Sequence, residues 1–494
     1  ISSISNSFGS FGYNKFLLEN SIVHPHFLTF ISVSKSYAKN DYEYLYALTD
    51  STQTKTRENN KNSSWDAGFS ISSDSFLESR YSLLYNDFYK ELPGPINSIN
   101  MNDEAFMEGN IIRHHVNLKK FFTPFQISTD LFYFDEYTRF ENTESTLPVY
   151  NTIAETYFTK KGLKISCIYE KKKRIKSTLG LDALKEEFEY KDKNSQANSI
   201  KPVTKTNIDG FTNINLKQDL FPFEFQQNFS LRYDSPTYSD SVDFEDFLSW
   251  GIDGCIEYEN WYKIRCGGGM ANSYSLPSFY DLYWKGDSQT IGNPELEPEI
   301  SLGWNVFAHI SYLENFLKVS YHYNKIEDLI FWFRSVNSWK PDNIADAEIS
   351  NFELETEINF LKYFKTGFYW LRTSALDKTK NEDGSPGNTY DHFLTYTPFS
   401  KTVIFTSLEY KNLNLKISYT RLGKQRTSRY NDYKMLSAYG LVDGDLSYLY
   451  KKNKWEAQVY LKANNIFDKE YEIYLLTPRP GFNWYTGIKF QYTI

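Results

Sequence analysis

Residues 300–308 read Ile300-Ser-Leu-Gly-Trp-Asn-Val-Phe-Ala308, with an apolar residue at every even position and Ser301, Gly303 and Asn305 between them. This period of two is the pattern of a β-strand that turns one face toward an apolar environment. The same alternation recurs at residues 65–72, 352–360, 413–420 and 484–493. It predicts an all-β chain with strands from end to end.

The spacing of the connections predicts how these strands are arranged. Short turns are expected near residues 313–315, 361–363, 411–412 and 452–454, and long polar segments at 334–346, 377–390 and 423–435. Tight turns at one end and long loops at the other are typical of a transmembrane antiparallel β-barrel, with short periplasmic turns and long extracellular loops. Counting strands in this way gives about 22, an even number within the known range of such barrels. We expect a single domain over residues 1–494.

A membrane-spanning barrel agrees with the composition. The sequence has no run of about 18 or more apolar residues, which a transmembrane helix needs. A closed barrel is the other structure that satisfies its backbone in a membrane. Aromatic residues make up 18% of the chain and collect near predicted strand ends, as at Phe331, Trp332, Phe333 and Trp455, where interfacial girdles would lie.

A soluble β-propeller is the rival fold, because turns recur roughly every 40 to 50 residues, which is also the spacing of propeller blades. A blade would place four short strands in that interval. This chain instead accommodates two strands of roughly ten residues and a long loop, which favours the barrel. The propeller predicts extraction without detergent.

Several functions are disfavoured by residue content. The net charge is −8, whereas a nucleic-acid partner calls for a basic face. No phosphate loop, nucleophile elbow or zinc-protease motif occurs, so we expect no enzyme, no catalytic residues and no cofactor. Cys167, Cys255 and Cys266 lack the spacing of a zinc site, and alternation places Cys255 and Cys266 on opposite faces, which predicts no disulfide between them. The histidine pairs 24/26 and 114/115 are not expected to bind metal.

Two segments resemble the TonB-dependent receptor family of the outer membrane. The first contains the stretch 276–283 and the string 292–299, in which Asp281 stands where the family more often has Glu. The second contains the stretch 464–471 and a Pro-Gly pair before the last strand. The residues that carry the resemblance are Pro277, Ser278, Leu282, Tyr283, Gly292, Asn293, Pro294, Leu296, Pro298, Glu299, Asn465, Phe467, Asp468, Tyr471, Pro480 and Gly481.

The resemblance implies a multi-pass barrel, surrounded by the lipid of a Gram-negative-type outer membrane, that takes up a scarce nutrient as a small-molecule metal chelate. A ferric siderophore or a cobalamin is the implied cargo, and the TonB energising complex is the implied partner, acting through a plug domain. The first strand is expected to begin near Ile1, so the plug would be missing from this chain or would be a separate polypeptide. The alternative is a passive channel or a surface-binding barrel that is independent of TonB.

Aromatic residues near the predicted loops are candidates for ligand contact, because planar ligands pack on such side chains. Anchoring at the membrane interface explains aromatic residues there equally well, and the Gly-Asn-Pro string can serve only to shape its loop. A basic run at residues 171–174 is expected at a periplasmic turn, either solvated or in contact with anionic lipid headgroups. The four candidates for ligand contact are Tyr283, Trp284, Trp332 and Trp339.

Overall fold

A computed structural model of the chain describes residues 1–47, 52–74, 77–93, 96, 104–143, 152–240, 242–284, 291–334, 339–381, 383–430 and 434–493. The 26 strands in these ranges are β1 (Ser2–Gly9), β2 (Tyr13–His24), β3 (Phe27–Ala38), β4 (Tyr42–Ala47), β5 (Thr52–Arg57), β6 (Asn62–Asp74), β7 (Glu78–Glu91), β8 (Phe106–Phe122), β9 (Phe125–Asn142), β10 (Thr152–Lys171), β11 (Ile175–Asp192), β12 (Ile200–Leu220), β13 (Phe223–Tyr238), β14 (Phe247–Glu259), β15 (Lys263–Ser275), β16 (Glu299–Tyr312), β17 (Asn315–Arg334), β18 (Trp339–Phe360), β19 (Phe364–Asp377), β20 (Ser400–Tyr410), β21 (Leu413–Leu422), β22 (Gln425–Arg426), β23 (Met435–Leu436), β24 (Tyr439–Lys452), β25 (Trp455–Asn464) and β26 (Asn483–Tyr492).

Twenty-two of these strands form one closed antiparallel barrel. Each pairs with the next barrel strand along the chain, and β1 closes the ring by pairing with β26, from Ser2 opposite Tyr492 to Gly9 opposite Tyr485. β4 with β5 and β22 with β23 make two small hairpins outside the barrel wall. The prediction of an all-β barrel of about 22 strands is confirmed, whereas a propeller would divide into separate blades.

The tight turns lie where the sequence predicted them. β16 and β17 are joined by Leu313 and Glu314, β20 and β21 by Lys411 and Asn412, and β24 and β25 by Asn453 and Lys454. The residues between β18 and β19 are 361–363. All four connections lie at one end of the barrel, which we call the turn end; the opposite end is the loop end.

The predicted long loop over residues 334–346 is wrong. β17 continues to Arg334 and β18 begins at Trp339, with Phe331 opposite Asp342 and Ile330 opposite Asn343. The ladder therefore extends through polar residues that do not alternate with apolar ones, because strands that project beyond the apolar layer no longer need an apolar face.

The two faces of the wall differ in polarity, as β11 and β12 show. Leu179, Leu181 and Ile208 point outward and are 66%, 65% and 60% exposed. Alternate residues, such as Glu186 and Asp209, point inward and are buried. An apolar outer face and a polar interior are what a barrel in a membrane requires. None of the described helical segments is long and apolar enough to cross a membrane.

The three cysteines are free, and the prediction for Cys255 and Cys266 is confirmed. Cys255 is buried while Cys266 is exposed. Cys266 lies opposite Ile256 in the ladder of β14 and β15, so the two sulfur atoms project from opposite faces of the wall.

Candidate ligand site at the loop end

The connection between β15 and β16 carries the first family motif and folds into a short helix, α1 (Phe279–Tyr283). Ser278 caps this helix: its hydroxyl accepts from the Asp281 backbone N–H at 3.1 Å, and the Asp281 carboxylate accepts from the Ser278 N–H at 3.0 Å. This reciprocal pair is a capping box, which satisfies free donors at a helix start. Asp281 therefore fulfils the capping role at the position at which the family more often has Glu.

Helix α1 turns inward and packs against the inner face of the barrel wall. Phe279, Leu282 and Tyr283 are buried in a cluster with residues of β10 to β13. The Phe279 ring lies parallel to that of Phe188 on β11, with centroids 5.4 Å apart, and Tyr238 on β13 contacts it edge-on. The loop thus covers part of the lumen from within.

The Gly-Asn-Pro string holds α1 to the wall. The N–H of Gly292 donates to the Trp284 carbonyl at 2.6 Å, and that of Asn293 to the Asp281 carbonyl at 2.7 Å. The Asn293 amide is buried and donates to the Pro341 carbonyl on β18 at 3.1 Å. A Cβ on Gly292 would lie 2.6 to 2.7 Å from backbone atoms of α1, so only glycine fits here.

The remaining residues of the first motif also support the loop. The Glu299 carboxylate accepts from the Ile330 N–H at 2.8 Å, and Leu296 is 2% exposed within the cluster around α1. Pro277 is buried, whereas Pro294 is exposed and Pro298 half-buried. These bonds and this packing hold the loop in place, which is the role of a loop-shaping element.

The four candidates for ligand contact occupy different environments. Tyr283 is 6% exposed and its hydroxyl donates to Asp240; burial and this hydrogen bond raise its pKa. Trp332 on β17 donates its indole N–H to Asp281 at 2.9 Å. Trp284 is half-buried, with its ring centroid 5.2 Å from that of Tyr280. Trp339 begins β18, and its side chain lies outside the described residues. Their role in ligand contact stays a prediction.

Residues that the sequence pattern did not single out complete this end of the barrel. Tyr280 is 42% exposed on α1, and Phe188 and Tyr190 on β11 are fully buried. For Phe188 and Tyr190 the sequence shows only the alternation of a strand, because the residues in and next to α1 that bury them lie about ninety positions away along the chain. An inward-facing aromatic residue near a strand end was the available signal.

A charged layer lies on the inner wall directly below α1. Glu186 on β11 is 6% exposed, accepts from Lys160 at 2.9 Å and also pairs with Lys205. The Lys205 ammonium lies 5.6 Å from the centre of the Phe279 ring. Farther toward the turn end, Arg232 pairs with Asp209 and with Asp234. A solute passing α1 would therefore meet a polar and charged surface.

The second family motif shapes the loop between β25 and β26. Asn465 is 2% exposed; its amide donates to the Lys469 carbonyl and accepts from the Lys469 N–H, both at 2.8 Å. Asp468 accepts from the Phe482 N–H at 2.7 Å, and a Cβ on Gly481 would lie 2.1 Å from the Asp468 carboxylate. The Tyr471 ring packs on Tyr439, Pro480 is half-buried, and Phe467 is 77% exposed.

Two cavities open among the loop-end residues. One of about 820 Å³ lies beside the Gly-Asn-Pro string and is lined by residues that include Val242, Phe244, Asn293, Leu296 and Lys340. The other, of about 650 Å³, has a lining that includes Tyr44, Tyr439, Tyr471, Lys469, Glu472 and Arg479. Burial raises the pKa of the Glu472 carboxyl. Both volumes lie in the range of small-molecule sites.

The closed wall, the inward loop and both motifs define a class of protein, an outer-membrane barrel with a partly covered lumen. Residues 6–466 match the family model described as TonB dependent receptor-like, beta-barrel, and the chain belongs to that family. It is therefore a barrel of the outer membrane of Gram-negative bacteria, in a family of receptors and transporters, not enzymes.

Curated and solved relatives agree with this assignment. The chain is 25% identical over 279 residues to the vitamin B12 transporter BtuB of Vibrio vulnificus (strain YJ016), a match that spans 54% of this chain and 41% of that protein. Its fold resembles the copper transporter OprC, with a TM-score of 0.79 and 13% identity over 99% of this chain and 80% of that one. The FrpB iron transporter from Neisseria meningitidis (F3-3 variant) gives a TM-score of 0.75 and 11% identity over 99% and 81%. At these identities the solved structures show the fold alone.

Proposed function

We propose that this barrel serves TonB-dependent uptake of a scarce metal chelate, such as a ferric siderophore or a cobalamin. Family membership supports uptake, and the curated relative is a vitamin B12 transporter. The observation that carries the proposal is the inward fold of α1, which places aromatic residues over a charged lumen instead of leaving the mouth open.

The mouth presents groups suited to a planar or amphipathic chelate. Tyr280 is substantially exposed, and Trp284 packs beside it at the entrance to the lumen. Aromatic faces bind flat ligands through large apolar area, and a small number of polar groups then fix the orientation. The second cavity adds the rings of Tyr439 and Tyr471, beside side chains of both charges.

A plug domain, carried by the same polypeptide or by a separate one, is part of the proposal, because TonB is proposed to act through it. The inner wall offers it polar partners from several strands. Glu19, for example, accepts from the Ser3 hydroxyl at 2.8 Å and from Lys489 at 3.2 Å across the seam of the barrel. Such inward charges are well placed to bind a polar occupant of the lumen.

Uptake assays in the native bacterium test the proposal. Radiolabelled cyanocobalamin and a ferric siderophore would be supplied separately to wild-type cells, to cells lacking this gene and to cells lacking TonB. We expect accumulation of one ligand to be lost in both deletions while surface binding persists without TonB. Uptake that survives the loss of TonB would instead support the passive channel.

A pair of variants locates the contact. Tyr280→Ala with Trp284→Ala is expected to weaken ligand binding at least tenfold. Trp455→Ala, which removes a 58% exposed indole at the turn end, is the control and should leave binding unchanged. Equal losses in both variants would contradict a site at the mouth.

A further inference from the structure

An apolar groove runs across the outer face of β8 to β12. Its floor is a row of directly opposed residues in which Leu163 faces Leu131 on one side and Ala183 on the other, and Ala183 in turn faces Ile208. Ala183 carries only a methyl group, so a depression remains between its larger neighbours. The groove encloses about 530 Å³.

Two lysines border the groove on the side of the loop end. Lys161 on β10 and Lys185 on β11 are directly opposed, both are exposed, and both line the groove. Like charges in directly opposed positions repel each other and destabilise the sheet. Neither lysine forms an ion pair with any residue that the structure describes, although Asp135 and Glu187 occupy the next outward row. An anion between the two ammonium groups would relieve this repulsion.

The position of the two lysines along the barrel axis places them at the edge of the membrane. The ring of Tyr169, near the turn-end limit of β10, packs at a tilt against that of Phe125, as in an interfacial aromatic girdle. Lys161 lies eight residues farther along the same strand. At about 3.3 Å per residue and a tilt of about 40°, that span covers roughly 20 Å. The apolar band is about 25 Å tall, and the long lysine side chains extend over the remaining distance. The lysines therefore reach the headgroup layer on the loop side, and the groove lies in the acyl layer beneath them.

We propose that this surface binds one lipid of the outer leaflet, with its phosphorylated headgroup between Lys161 and Lys185 and an acyl chain in the groove. The charge of the lysines complements phosphate, and the apolar floor lies where an acyl chain of the same molecule would run. Tyr133 and Thr206, which flank the lysines in the same row, supply hydroxyl groups within the headgroup layer.

Native mass spectrometry of the detergent-purified protein tests this, with lipid A as the phosphorylated probe and phosphatidylethanolamine as the zwitterionic comparison. We expect one lipid A molecule to remain bound at concentrations at which phosphatidylethanolamine does not. In the double variant Lys161→Gln with Lys185→Gln, lipid A binding should weaken roughly thirtyfold. Each lysine near an anionic lipid headgroup contributes about fivefold to sixfold in affinity, and the variant removes two. Ala183→Trp, which fills the groove and leaves both charges, should also displace the lipid.

The matched control is Lys452→Gln with Lys454→Gln, which removes two exposed charges at the turn between β24 and β25. Lipid A binding should be unchanged in this variant. An equal loss in the control would overturn the proposal in favour of nonspecific charge attraction, and unchanged binding in Ala183→Trp would overturn the groove. Heat-dependent gel mobility establishes that each variant still forms a closed barrel.

Discussion

The two family motifs share the same local features but direct their loops to different places. Each contains a buried asparagine that bonds backbone groups, Asn293 in the first and Asn465 in the second, and each has a glycine at a close approach. The first motif directs Phe279 into the lumen against four strands of the wall. The second leaves Phe467 77% exposed at the rim.

In both loops the short motif fixes the backbone, while the apolar residues beside it determine which part of the barrel the loop packs against. Around α1 the apolar side chains meet an aromatic patch on the inner wall, so the loop folds inward. In the loop between β25 and β26, the tyrosine ring of the motif packs against Tyr439 at the start of β24, and the loop stays at the rim. The first motif should therefore depend on side-chain packing and the second on hydrogen bonds.

The largest effect is expected from Phe279→Ala. Removing this 8% exposed ring should cost about 3–5 kcal/mol of the free energy that holds α1 against the wall. Hydrogen exchange at the Leu282 and Trp284 amides, which bond within α1, measures it. Tyr280→Ala, which removes a 42% exposed ring that touches Phe188 only edge-on, should have a clearly smaller effect. Unchanged exchange in Phe279→Ala would refute the packing account.

The next largest loss of loop stability is expected for Gly292→Ala, and it should be larger than the loss for Gly481→Ala. The new methyl at 292 meets backbone atoms of α1, which cannot move without undocking the helix, and we expect a cost of about 3 kcal/mol. At 481 the methyl meets the end of the Asp468 side chain, which can rotate at the expense of its bond to Phe482. Hydrogen-exchange rates in each loop measure the two losses. A larger loss in Gly481→Ala than in Gly292→Ala would contradict this explanation.

Asn465→Ala should have an intermediate effect on the second motif. The substitution removes both bonds to Lys469 and places alanine at a φ of 48°, where asparagine is better tolerated, for a loss of about 2 kcal/mol. Asn465→Asp keeps the side-chain acceptor and should lose about half as much stability as Asn465→Ala. Exchange at residues 465–471 reports the loss, and identical behaviour of the two variants would show that the hydrogen bonds are unimportant.

Phe467→Ser should have the smallest effect on the loop. Its ring is mostly exposed, and changes of this kind usually shift stability by no more than about 0.5 kcal/mol. The exchange pattern of residues 465–482 in detergent is expected to match the wild type. A marked loosening would mean that the second motif also depends on side-chain burial.

The part of the fold within the apolar layer could be predicted because alternation is obligatory there. The strand around Trp304 and the turn at Leu313 follow directly from that pattern. Beyond the layer both faces are polar, so Asp342 and Asn343 look like loop residues although they pair in β18. The sequence carries no sign of which polar stretches continue a ladder.

The site was only partly predictable. The motifs are local sequence patterns, and they were sufficient to predict that Tyr283 and Trp284 belong to a loop near the mouth of the barrel. The inward fold depends on Phe188 meeting Phe279, a contact between residues about ninety positions apart that no local pattern reveals. The capping box of Ser278 and Asp281 is the local sequence signal for the start of α1.

The pairing of β1 with β26 closes the barrel through contacts of very long sequence separation. The Trp484 N–H donates to the Ser10 hydroxyl across this seam, between residues 474 positions apart, whereas most other strands pair with a close neighbour in the chain. The entropy of closing so long a segment must be overcome before the seam can form. Until then, the unfinished sheet has two free edges that can capture other strands. We therefore expect both edges to need shielding until β26 pairs with β1.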